Sequence, residues 1–76
     1  MLTKIRENEL GVVFHSDSVP NNLFNFYILR RRSYKDGTYQ WNICCELKEN
    51  SDKYMVIESI KGTREIAIQR LKEILK

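Results

Sequence analysis

The chain is poor in the residues that build rigid or reactive sites. Of its 76 residues, two are cysteine, one is histidine, one is proline and three are glycine. Cys44 and Cys45 are adjacent, so they cannot staple distant segments into a disulfide framework. In a strand their side chains point to opposite faces, which keeps them from gripping one metal together. With His15 the sole imidazole, the four nitrogen and sulfur ligands of a zinc site are not at hand. One core thiol, one surface thiol and no metal are expected. His15 stands beside Ser16, Asp17 and Ser18, but a catalytic triad is assembled in space, not by adjacency in sequence. Gly11, Gly37 and Gly62 are too dispersed to cradle a phosphate. Glu46, Glu49, Asp52 and Glu58 flank a turn and read as surface charges. No catalytic residue, no cofactor and no enzymatic activity are expected.

Long hydrophobic runs are lacking too. No stretch approaches the ~20 apolar residues of a membrane span, and Met1 to Glu7 has no apolar core of a signal peptide. The expectation is a cytoplasmic protein without membrane contact. Charge of one sign is not in large excess. Thirteen Lys and Arg against ten Asp and Glu leave +3, which permits binding to a polyanion without demanding it.

What the chain does have is a globular balance, 42% hydrophobic and 30% charged, with eight aromatic residues. Its length fits one domain, residues 1–76, burying roughly 60% of the surface its unfolded chain exposes. Leu2, Ile5 and Leu10 mark either a turn or two of helix ended by Gly11 or a lead-in. Val12 to His15 suits a short first strand. Ser16 to Asn22 is dense in turn formers and reads as a loop. Residues 1–22 are thus expected to give a short strand and a loop, with the core in 23–76.

Leu23 to Ser33 reads as a long strand, apolar at first and then basic at Arg30, Arg31 and Arg32. Asp36-Gly37 between two strand-like runs signals a hairpin whose central positions need positive φ. Thr38 to Lys48 alternates, with Tyr39, Trp41, Ile43, Cys45 and Leu47 on a dry face and Thr38, Gln40, Asn42, Cys44, Glu46 and Lys48 on a wet one. Glu49 to Asp52 reads as a turn and Lys53 to Ile60 as another strand. Thr63 is placed to cap a helix, in which Ala67, Ile68, Leu71, Ile74 and Leu75 share a stripe at the 3.6 period. The expected fold is α+β: an antiparallel sheet of three to four strands with a C-terminal amphipathic helix packed on its dry face.

The feature with the most functional content is the basic stretch. A two-residue loop, Asp36-Gly37, sets Arg31 opposite Asn42 and Ser33 opposite Gln40. A three-residue loop, Lys35-Asp36-Gly37, sets Arg30 opposite Asn42 and Arg32 opposite Gln40. Either register puts arginine beside Gln40 and Asn42 on the wet face, and leaves another arginine beside Trp41 on the dry one. Arginine suits guanine edges and phosphates, and Asn and Gln suit adenine. Arg30, Arg31, Arg32, Lys35, Gln40 and Asn42 are therefore the candidate nucleic-acid-binding residues. The plain alternative is a solvated strand whose charges discourage pairing with other chains.

Lys35-Asp36-Gly37-Thr38-Tyr39-Gln40-Trp41 resembles the first turn and second strand of the arm-type DNA-binding N-terminal domain of tyrosine integrases. Gly62-Thr63-Arg64-Glu65-Ile66-Ala67 resembles that domain's helix start. The resemblance implies an exposed three-stranded sheet that enters the DNA major groove, backed by a helix. The element order also resembles the β-β-β-α part of double-stranded-RNA-binding domains. Together these readings point to a small accessory nucleic-acid-binding protein acting on DNA or RNA. The rival is a protein-interaction module or small inhibitor, binding a partner protein through exposed parts of Phe24, Phe26, Tyr27 and Tyr54 or through an edge strand.

Overall fold

In the computed structural model the chain folds as β1 (Leu2–Asn8), β2 (Gly11–Ser16), a 3-10 turn at Asn21–Leu23, β3 (Phe24–Ser33), β4 (Tyr39–Leu47), β5 (Asn50–Gly62) and α1 (Arg64–Ile74). The structure describes residues 1–76, side chains included except those of Ser51 and Lys53. The strands form one antiparallel sheet in the order β1-β2-β3-β4-β5. The α+β class and the helix on one face are as expected, but the sheet has five strands, not three or four.

The extra strand comes from the first ten residues. Asn8 makes the turn that sequence patterning missed: its Oδ1 accepts from the backbone N–H of Leu10 (2.9 Å) and of Gly11 (3.2 Å), the local bond that lets asparagine mimic a backbone turn. Gly11 then runs so close to β3 that a Cβ there would collide with the Ile28 carbonyl oxygen. The core accordingly reaches into residues 1–22, since Val12 and Phe14 are buried in it.

Antiparallel partners share a face, so the pairing sorts the side chains. One row on the helix side reads Glu7, Val12, Ile28, Ile43, Glu58 from β1 to β5. Its three central members are fully buried. Its outer carboxylates both reach the helix. Glu7 pairs with Arg64 at 2.7 Å, and Glu58 accepts from Nε and Nη2 of Arg70 at 2.6 and 2.9 Å. The helix is thus tied to both edges of the sheet it covers. Thr63 caps it as expected, its hydroxyl accepting from Ile66 N–H at 3.3 Å. Ala67 and Leu71 are buried, and Ile68, Ile74 and Leu75 pack on the cluster. Tyr39 is half-buried beside Trp41, which is buried and donates its indole N–H to the Gly62 carbonyl at 3.0 Å. No helix is long and apolar enough to cross a membrane.

Three other expectations need correction. The turn set at Glu49 to Asp52 is tighter, because β5 already begins at Asn50. Among the residues of the β3–β4 loop only Gly37 has positive φ, at 88°; the loop is the three-residue one, closed by Tyr34 N–H to the Thr38 carbonyl (2.9 Å), a form that needs positive φ at its glycine alone. Both cysteines are buried, Cys44 at 0% exposure and Cys45 at 9%, so there is no surface thiol. Cys44 does belong to the face away from the helix, and what covers it there defines the candidate site.

Candidate nucleic-acid interface

The side chains of the open face form a grid. From the β3–β4 hairpin downward its rows are Arg32, Gln40, Lys61; then Asn8, Gly11, Leu29, Asn42, Ser59; then Arg6, Val13, Tyr27, Cys44, Val56; then Thr3, His15, Asn25, Glu46, Tyr54. The predicted residues are brought together only in part, and neither predicted register holds throughout. A bulge lies between Arg30 and Arg32. Below it Arg30 pairs with Trp41 and Leu29 with Asn42; above it Arg32 pairs with Gln40. Asn42 therefore faces Leu29, not an arginine. A bulge sets two residues of one strand against one of its partner and locally disrupts alternation. Arg31, the residue the bulge leaves unpaired, is exposed next to Arg32, and it is near enough to Cys44 and Tyr54 on the open side for its charge to offset slightly the rise of both groups.

Arg30 goes to the other side. Its guanidinium lies 4.7 Å from the centre of the Tyr39 ring. The cation over Trp41 is instead Arg64, at 5.4 Å. Of the three arginines, Arg31 and Arg32 remain on the face with Gln40 and Asn42, both are exposed, and among the described residues neither has a carboxylate partner. Lys35 is exposed at the hairpin tip.

Lys61, which the pattern did not single out, completes this corner. Its ammonium lies 4.8 Å from the centre of the Tyr34 ring, with the Arg32 guanidinium also near that ring at 5.9 Å. It bridges to Asp36 at 3.1 Å. Asp36 also accepts from the hydroxyl and backbone N–H of Thr38, and these bonds, then Lys61, hold its carboxyl down to about 2. Asn42 Oδ1 accepts from Ser59 Oγ at 2.6 Å, which orients the amide and leaves its N–H groups for a ligand.

Tyr27 and Tyr54 make up the lower half. The Tyr27 hydroxyl donates to Glu46 at 2.6 Å and the Tyr54 hydroxyl to the Cys44 sulfur at 2.9 Å. One ring comes from β3 and the other from β5, and both reach the strand between them. Hydrogen bonding to Glu46, then burial, raises the Tyr27 hydroxyl above its ordinary value. The bond to Cys44, then burial, pushes Tyr54 up to about 12. Burial likewise raises both thiols. Phe24 and Phe26 do not join this face. Phe26 is buried in the core and Phe24 packs against it, so two of the four aromatics expected in an exposed patch are on the helix side.

Among the described residues no group of three or more His, Cys, Asp or Glu is placed to hold a metal ion. Comparison with known proteins gives no matching family model, no matching curated protein and no matching solved structure, so the chemistry of the open face alone carries the functional reading.

Proposed function

We propose that this chain is a small nucleic-acid-binding module acting through the open face of its sheet. The observation that carries the reading is the bulge at Arg31, which sets two consecutive arginines on one face beside Gln40, Asn42 and Lys61. Paired surface charges contribute little to recognition; arginines without a carboxylate partner keep their full affinity for phosphate. Arg31, Arg32 and Lys35 supply phosphate contacts, and Gln40 and Asn42 offer amide groups to bases. Arg30, stacked on Tyr39 away from this face, is not part of the interface.

The test is anisotropy titration of labelled oligonucleotides across a salt series. The wild-type chain should bind at low salt, with log affinity falling against log salt at a slope of about −2. Replacing Arg31 and Arg32 together by Ser should cut the slope to about −0.7, the share of Lys35 alone, whereas Arg30→Ser should leave it unchanged. No binding to any nucleic acid at low salt, or equal loss in Arg30→Ser, sinks the proposal.

One observation favours the rival reading. On β5, an edge strand, Met55, Val56 and Ile57 are 63, 46 and 38% exposed. An apolar edge with unpaired backbone groups accepts an added strand from a protein partner. If nucleic acid does not bind, this edge is the next surface to test.

A further inference from the structure

We infer that the nucleic acid taken by this face is single-stranded, with bases stacked on Tyr27 and Tyr54. The inference rests on the nucleic-acid reading above and narrows it.

Width argues first. Strands lie about 4.7–4.9 Å apart, so five of them span roughly 19 Å between the outer backbones. The major groove of B-DNA is about 12 Å wide. A three-stranded sheet, roughly 10 Å across, fits face-on; this five-stranded one is too broad to enter. A flat strand of nucleic acid laid across the sheet meets no such limit.

The rings argue second. A tyrosine standing upright on a sheet holds its hydroxyl well above the short side chain of a cysteine in the adjacent strand; to donate to that sulfur the ring must lie over. Tyr27 in β3 reaches Glu46, one row down on β4, and Tyr54 in β5 reaches Cys44, one row up. The Tyr54 ring therefore lies over β4, and Tyr27, bonded to Glu46 from the other side, flanks it. The complete burial of Cys44, on a face no helix covers, is the independent sign of that roof. A ring lying over the sheet turns its π-face to solvent, and Tyr54 is still 48% exposed. Stacking on such rings tolerates any base, and single strands leave bases free to use it.

The surroundings argue third. Tyr27 also borders a shallow groove of about 210 Å³ lined by Arg6, Asn8, Val13 and Leu29 among others, an apolar floor with a cation and an amide at its rim. Arg31 and Arg32 flank the rings on the hairpin side. Glu46 is the carboxylate within the platform. It repels phosphate and accepts from exocyclic amino groups, so the sugar-phosphate chain runs on the arginine side and the bases over the tyrosines.

The full chain is titrated into labelled 12-nucleotide single-stranded RNA, single-stranded DNA of the same sequence, and the matching RNA and DNA duplexes. Both single strands should bind at least tenfold tighter than either duplex, and a preference between them reports on contacts to the ribose hydroxyl. Tyr54→Leu should weaken single-strand binding by roughly 5- to 150-fold, the range for loss of one stacked base. Tyr54→Phe, which keeps the ring, should stay within about threefold of wild type by the same logic. Duplexes bound as tightly as single strands, or Tyr54→Leu binding like wild type, overturns the stacking inference while the nucleic-acid reading stands. Absence of binding to all four overturns both.

Discussion

Along β4, Trp41, Ile43 and Cys45 belong to the helix side, and Gln40, Asn42, Cys44 and Glu46 to the open side. One backbone thus serves two faces with different rules. On the helix side the central strands supply Val12, Phe14, Phe26, Ile28, Trp41 and Ile43 to a closed cluster, Arg30 stacks on Tyr39, and the edge carboxylates Glu7 and Glu58 are answered by Arg64 and Arg70. On the open side the cations Arg31 and Arg32 are left without carboxylate partners among the described residues. A face that maximises stability neutralises its charges and buries its rings. The open face leaves Arg31 and Arg32 unanswered and Tyr54 half exposed, and that contrast, more than any single residue, supports the binding role we propose for it.

The largest way to break the comparison is to remove the cover of the dry face. Leu71 is fully buried against the sheet, and Leu71→Ala should cost about 2–5 kcal/mol through lost burial and the cavity left behind. A domain of this length has only about 4–11 kcal/mol in total. Urea unfolding checks this, and a loss under half a kcal/mol would mean that the helix is not what seals that face.

How much of this contrast was legible in the sequence follows from what period-two reasoning can see. The dry face of β4 and the stripe of α1 were readable because alternation and the 3.6 period are each unbroken there. Phe24 and Phe26 share parity with Ile28, so their place on the core side was readable as well, and grouping them with Tyr27 overlooked it. The bulges were not readable. A residue inserted at Arg31, and another irregularity on β5 between the partners of Ile43 and Cys44, shift parity without a glycine or proline to announce it. That is why alternation sets an arginine opposite Asn42 in either register, where the structure has Leu29, and why it does not place Lys61 and Ser59 beside Gln40 and Asn42. β1 was missed for another reason. As an edge strand with most of its residues exposed, it shows no hydrophobic period, and its signal is the Asn8 turn alone.

A smaller effect sharpens the comparison by setting the two thiols against each other. Cys44 and Cys45 are neighbours on opposite faces, both buried, and both held above the ordinary thiol value by burial first. Since the thiolate is the reactive form, both should resist iodoacetamide at pH 8 in the native protein and react fully in urea. Tyr54→Ala removes the ring that roofs Cys44 and its hydrogen bond. Cys44 should then alkylate on the scale of minutes while Cys45, under the helix, stays protected. Mass mapping that finds both protected, or both modified together, would show that Tyr54 is not the lid of the open face.

The smallest effect concerns the hairpin tip, where the open face carries its charge. Asp36 accepts from Thr38 and bridges to Lys61, and its carboxyl is lowered from the ordinary 3.8 to about 2. A carboxylate whose folded value lies below its unfolded one stabilises the fold above the unfolded value and loses that contribution as pH falls through the folded one. The window is therefore about pH 4 down to about pH 2. Asp36→Ala should lower stability slightly at pH 7 and much less at pH 2, where the wild-type carboxyl is about half protonated and most of its contribution is gone. The group is fully exposed, so solvent screens the effect and it stays small. The same substitution frees Lys61 from its only described ionic partner on a face that gathers cations. Nucleic-acid affinity at low salt should then rise, and its salt slope steepen by up to about 0.7 for single strands. An equal stability loss at both pH values would mean that Asp36 acts through turn geometry alone. An unchanged slope would mean that Lys61 faces no phosphate.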